Sequence, residues 1–214
     1  MLPSPAAPNL ASPDLTLWDW RRQVADLYAA VRAEPDPQAA WQHWRTVRDR
    51  LFRSHPQSPI EPGTVFTGLP CFPYDPALRI LTVMAPLDGP EEAFPAGQDG
   101  ELRMRPIART AGLAPLLGGE LTVYWLLGYG GGVFLPFADS TSGRETYGAG
   151  RYLLDTIKSA DLGIAPDGRT VLDFNFSYNP SCAYSARYLC PLAPPTNRLA
   201  AAVRAGEASP GKLG

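Results

Sequence analysis

The side chains able to do chemistry concentrate in one stretch, Phe134 to Leu199. It carries Asp139, Arg144, Tyr147, Arg151, Asp173, Asn175, Asn179, Cys182 and Cys190. Gly143, Gly148 and Gly150 punctuate a loop that also bears Thr141, Ser142 and Thr146. Glycines let backbone N–H groups converge on an anion, and an arginine above them would complete the cradle. The same composition is ordinary turn chemistry, with glycine where φ is positive and Asp139 bonding its own turn. Neither GxGxxG after a strand nor GxxxxGK[ST] is present, so no nucleotide fingerprint decides for the cradle, and the turn reading is favoured.

The candidates for catalysis are His55, Asp139 and Asp173. Two aspartates can serve as a carboxylate pair, but nothing in the sequence sets their separation. His55 stands at a helix end before Pro56. It suits a metal ligand or general base, and equally a cap favoured by the helix dipole. Ser58, Ser177 and Ser181 lack the GxSxG elbow of a nucleophilic serine. Cys182 and Cys190 are separated by seven residues, wider than the roughly two to four of a zinc knuckle. The expectation is two reduced thiols and no metal, although His55 could complete a zinc site in space. Asn175, Asn179, Arg187, Asn197 and Arg198 fit either a buried hydrogen-bonded network or a pocket lining.

Three segments, FADSTSGRETYGAGRYL, LDFNFSYNPSCAYSARYLCPLAPPTNRL and AGE at Ala205 to Glu207, together resemble the bacterial and archaeal family DUF1684, a domain of unknown function. HPQSPI (His55 to Ile60) and GLPCFPYDP (Gly68 to Pro76) extend the resemblance toward the first helix. It implies a domain and no particular reaction.

The elements that must hold these residues are legible in part. Residues 1–11 read as a disordered Pro/Ala-rich tail. Ser12-Pro13-Asp14 and Asp36-Pro37 are helix starts, and Leu17, Trp20, Val24, Leu27, Tyr28 and Val31 recur at helical spacing. Trp41, Trp44, Val47, Leu51 and Phe52 mark a second helix, so residues 12–55 predict a helical hairpin docked through Trp20, Trp41 and Trp44. From residue 62 to 207 the pattern is β-rich. Strands are expected at Val65–Leu69, Arg79–Pro86, Glu101–Arg109, Glu120–Leu127, Gly132–Phe137 and Val171–Tyr178. The last should present Leu172, Phe174, Phe176 and Tyr178 on one face, with Asp173, Asn175 and Ser177 on the other. Arg198–Ala205 is open between a helix, which its alanines favour, and a closing strand, which its place after a Pro-rich loop favours. Residues 208–214 read as a tail.

Composition sets the outer bounds. The chain has 214 residues, 45% hydrophobic, with 24 prolines, three cysteines and a formal net charge of -2. No basic run suits nucleic acid, no apolar run suits a membrane span, and no secretory signal opens the chain. Cytoplasmic residence is expected, and the odd cysteine count agrees with it. Oligomeric state and cofactor are left open.

The architecture expected is α+β, an N-terminal helical hairpin followed by a mainly antiparallel, barrel-like sheet. The function expected is binding of a small polar or anionic molecule between Asp139–Arg151 and Asp173–Asn179, with Arg151 reaching Asp139 or Asp173. Two alternatives are a hydrolase-like enzyme using His55 with an aspartate, possibly metal-assisted, and a flavin- or nucleotide-binding barrel at a dimer interface.

Overall fold

The computed structural model describes residues 12–95 and 101–211. The two tail assignments, 1–11 and the last three residues of 208–214, lie outside the described residues. Helices α1 (Pro13–Ala33) and α2 (Pro37–Ser54) begin at their sequence signals. Ser12 Oγ accepts the Leu15 N–H at 3.2 Å and Asp36 Oδ1 accepts the Gln38 N–H at 3.0 Å. Each satisfies an orphan donor of a first turn. The link Glu34 to Asp36 folds α2 back on α1, so Asp19 near the start of one meets His55 at the end of the other.

Seven strands follow: β1 (Arg79–Pro86), β2 (Glu92–Pro95), β3 (Glu101–Ala111), β4 (Thr122–Leu126), β5 (Gly132–Phe137), β6 (Arg151–Asp155) and β7 (Thr170–Asp173). A single-turn helix, α3 (Ala114–Leu117), bridges β3 and β4. The sheet order is β6-β5-β4-β3-β1-β7, with β2 added beside β3, and all pairings are antiparallel. Beyond β7, Tyr178 exchanges two backbone hydrogen bonds with Tyr152 of β6, at 2.9 and 3.1 Å. The two edges of the sheet therefore nearly meet, and the α+β, barrel-like architecture expected from the sequence is what the chain forms.

The sheet is apolar on both faces. Leu121, Leu135, Phe137, Leu172 and Phe174 fill one core with Leu199 and Val203. Met104, Tyr124, Phe134, Tyr152, Phe176 and Tyr178 form the other beneath the hairpin. Trp41 and Trp44 are buried there, with Trp44 edge-on to Phe176 at 5.5 Å. Trp20 is half-buried against Phe52 and His55.

Three sequence expectations are corrected. Val65–Leu69 is not a strand. Val171–Tyr178 is not one strand: β7 ends at Asp173, and a 3-10 turn occupies Phe174–Phe176. Asp173 Oδ1 accepts the Asn175 N–H at 3.0 Å, and Ser177 Oγ donates to the Phe174 carbonyl at 2.6 Å. These local bonds compete with the sheet ladder and break the alternation. Leu172 and Phe174 consequently enter one core, and Phe176 and Tyr178 the other. Third, Arg198–Ala205 is neither helix nor strand; its carbonyls are claimed by side chains described below.

Candidate functional site

Asp139 and Arg151 are almost wholly buried and paired, Nη2 to Oδ2 at 2.9 Å. The partner is therefore Asp139 and not Asp173. Asp139 Oδ1 also accepts the Thr141 N–H at 2.7 Å and the Thr141 hydroxyl at 2.6 Å. Arg151 donates to the carbonyls of Val203 at 2.9 Å and Glu207 at 3.1 Å, and also to that of Ala205. Burial draws its pKa down against the pull of Asp139. With both terminal nitrogens engaged by backbone acceptors and one carboxylate, Arg151 clamps the segment 203–207 against the barrel. Gly150 makes room for this, because a Cβ there would lie 2.5 Å from the Phe137 carbonyl.

Asp173 lies elsewhere. It lines a small cavity, about 80 Å³, between the start of α2 and the β1/β7 edge. Val31, Pro37, Leu162, Val171 and Phe176 form apolar walls, and Arg32, Glu34, Arg79 and Asp173 supply the charged groups. Asp173 is 1% exposed, yet its Oδ2 has no hydrogen-bond partner among the described residues. Arg79 Nε stands off at 3.8 Å. Burial pushes the carboxyl up to about 6, against the lowering pull of Asn175, Arg79 and Tyr74. Asn175 is spent: its Oδ1 accepts the Asp75 N–H at 2.8 Å, and its Nδ2 donates to the Asp75 carbonyl and to Asp173 Oδ1, each at 2.8 Å.

Asn179 belongs to a third cluster, one that sequence reasoning missed. Glu207 is fully buried and takes Arg48 Nε at 2.9 Å and Nη2 at 2.5 Å on one carboxylate oxygen. Its other oxygen accepts the Asn179 N–H and the Tyr184 hydroxyl, both at 2.8 Å. Arg48 was hidden among the arginines of α2, and only its place on the tryptophan-bearing face could have marked it. Gly206 is needed beside it, with φ +72° and a would-be Cβ 2.3 Å from Ser177 Oγ.

The remaining candidates are separate again. His55 Nδ1 accepts the Gln57 N–H at 3.0 Å, and Nε2 faces Asp19 Oδ2 at 3.3 Å. Both ring nitrogens are engaged by neighbours. Asp173 shares a cavity with Pro37 at the opposite end of α2, a helix of 18 residues about 27 Å long. The structure therefore does not bring His55 and Asp173 together. Arg144 is exposed and donates to the Ser140 carbonyl at 2.5 Å. Tyr147 approaches Cys182, its hydroxyl 3.6 Å from Sγ. Asn197, buried, ties the Thr122 backbone to the Pro136 carbonyl at 2.8 Å. Arg187 reaches the Ser58 carbonyl at 3.0 Å.

A second cleft, about 430 Å³, opens between α2 and the loop Phe66–Pro70. Arg45, Asp49, Ile60, Phe66 and Tyr184 are among its walls. Arg45 Nε has no partner among the described residues. No group of three or more His, Cys, Asp or Glu among the described residues is placed to hold a metal ion. Likewise no described helix is long and apolar enough to cross a membrane.

A family model described as "Protein of unknown function (DUF1684)" matches residues 64–208. The match begins after the helical hairpin, so it contains the Asp139–Arg151 pair, Asp173 and Glu207 but not Arg48, His55 with Asp19, the α-helical wall of the small cavity, or Arg45, Asp49 and Ile60 of the larger cleft. No curated protein matches the chain. Among solved structures, the chain is similar to the solution NMR structure of the uncharacterized protein from gene locus rrnAC0354 of Haloarcula marismortui. The two share 31% identity with a TM-score of 0.56, over 80% of this chain and 93% of that one.

Proposed function

The chain belongs to the DUF1684 family, and on that footing we propose that it is a binding domain for a small polar molecule seated beside Asp173. One observation carries the reading: a carboxylate that lines a cavity and has one buried oxygen without a hydrogen-bond partner among the described residues. Leaving such an acceptor unsatisfied is costly, about 1–3 kcal/mol and more when it is charged. A ligand N–H or O–H placed on Oδ2 would recover that energy, and Arg79 is positioned to take an acceptor on the same molecule. The cavity has about half the volume, about 150 Å³, of an engineered one that admits benzene. It suits a ligand of a few heavy atoms, or the polar head of a larger one. Small amides, ureas and amino-acid head groups combine donor and acceptor in this way. The cytoplasmic setting expected from the sequence is compatible with such ligands.

The test is titration calorimetry with acetamide, urea, glycine and ethanolamine, on the wild-type chain and on Asp173→Asn. Binding of one probe that weakens at least about tenfold in Asp173→Asn supports the reading, in line with a lost charge-assisted bond. No binding by any probe, or binding that Asp173→Asn leaves unchanged, ends it.

An anionic ligand has separate support in the larger cleft, where Arg45 Nε is the unsatisfied donor. Acetate and phosphate are its probes, and Arg45→Met is the variant that should abolish their binding.

A further inference from the structure

Cys182 and Cys190 are free thiols, each partly exposed. Cys190 Sγ accepts the Cys182 N–H at 3.4 Å, which places one sulfur against the backbone that carries the other. The Tyr147 hydroxyl lies 3.6 Å from Cys182 Sγ and 3.5 Å from the Cys182 carbonyl. On the far side, the Tyr152 hydroxyl donates to the Pro191 carbonyl at 2.7 Å and fixes the chain just past Cys190. Lys158 lies over the Tyr152 ring at 5.7 Å and brings a cation to this side of the pair. The rim is open: Leu189 is 66% and Leu192 50% exposed. No side chain of the polar clusters described above uses either sulfur.

We propose that Cys182 and Cys190 form a thiol–disulfide exchange site, with Cys190 the attacking sulfur, Cys182 the resolving sulfur and a low-molecular-weight disulfide the oxidant. The Cys190 thiolate attacks one sulfur of the disulfide RSSR, forming a mixed disulfide and expelling RS⁻. Cys182 then loses its proton to solvent and attacks the Cys190 sulfur. The Cys182–Cys190 bond forms as the second RS⁻ leaves. Two electrons pass from the pair to RSSR, and the two RS⁻ take up the proton lost by Cys182 and one from solvent to become two RSH.

The assignment of roles follows from the asymmetry of the pair. Cys190 is lowered by the Cys182 thiol, by the backbone N–H groups of Cys182 and Ser181, and by Lys158. Cys182 is raised, first by facing Cys190 and then by burial. Because the Cys182 N–H donates to the Cys190 sulfur, the thiolate is favoured on Cys190, a partly exposed sulfur as exchange chemistry requires. Cys71 is the internal control, since burial pushes its thiol up to about 12.

The full chain is equilibrated with glutathione buffers of rising oxidised fraction, quenched in acid, alkylated and mapped by mass. Arg187 lies between the two cysteines, so trypsin separates them and a bridged pair of peptides is diagnostic. The expected result is joint loss of two thiols, one link between Cys182 and Cys190, and Cys71 still alkylated. Cys182→Ser should stop at glutathione on Cys190, and Cys190→Ser should form neither product at matched times. Limiting iodoacetamide on the wild-type chain gives a readout free of any folding defect: Cys190 should react at least about tenfold faster than Cys182 or Cys71. Equal alkylation rates, preferential oxidation of Cys71, or a dithiol that stays reduced in fully oxidised glutathione would each overturn the proposal.

Discussion

Arg48 and Glu207, 159 positions apart, share a two-bond ion pair that joins α2 to the segment beyond the barrel. The guanidinium lies among the rings of Trp44, Phe52 and Tyr178, within 4.9 to 5.0 Å of each. Removing one partner of such a pair strands the other charge, at about 3–5 kcal/mol. Arg48→Met and Glu207→Gln should each lower the unfolding free energy, read from urea denaturation, by that amount. The double variant should be more stable than the sum of the two losses predicts. Additive losses would mean the pair is not coupled.

Arg151→Met should be as damaging, because Asp139 and the carbonyls of Val203, Ala205 and Glu207 lose their donor together. Asp139→Asn should relieve part of the loss in the double variant. Asp173→Asn should show no coupling to Arg151→Met, its effect being the same in either background, since Asp173 bonds Asn175 and not Arg151. A denaturation cycle over the two pairs distinguishes these outcomes.

Asp173 should give stability a distinctive pH dependence. Its carboxyl is raised from 3.8 to about 6 in the folded chain, first by burial. The folded state therefore binds the proton more tightly than the unfolded one, and stability falls as pH rises from about 4 to about 6. The penalty persists above that window and is at most about 3 kcal/mol at about 1.4 kcal/mol per unit. Asp173→Asn retains the acceptor for the Asn175 N–H. It should match wild type near pH 4 and exceed it at pH 7. A constant difference across the range would remove Asp173 as the titrating group.

Trp44→Ala should cost about 3–5 kcal/mol, as expected for a large buried aromatic. Trp20→Ala, at a half-buried position, should cost clearly less. Thermal melts of the two variants decide it, and equal losses would mean that the hairpin does not dock chiefly through α2.

The helix starts, most strand positions and the barrel-like class were legible because they rest on local chemistry. Ser12, Asp36 and their prolines announce the helices, alternation announces β3, and apolar runs announce β1, β4 and β5. What was not legible depended on distant partners. Asp173 and Arg151 carry the residue types of one site, yet a 3-10 turn at Phe174–Phe176 and the clamp on Val203 send them to different clusters. Only its place on the tryptophan-bearing face sets Arg48 apart from the other arginines of α2, and its role is set by a glutamate 159 positions away. Arg198–Ala205 resisted assignment for a related reason: the Val203 and Ala205 carbonyls bond to a side chain and not to a ladder.

The late position of Glu207 and of the carbonyls at 203–207 has a consequence for synthesis. Arg48 and Arg151 leave the ribosome long before the groups that neutralise and satisfy them. Until those residues emerge, burying either arginine is unfavourable, so neither the α2 face nor the barrel floor can close around it. The fold is thus expected to complete only after Glu207 has cleared the exit tunnel, as one event rather than from the N-terminus onward. A chain stopped after Arg198 should remain open to protease while the chain through Gly211 resists it. A protease-resistant truncated chain would show that the barrel closes without its clamp.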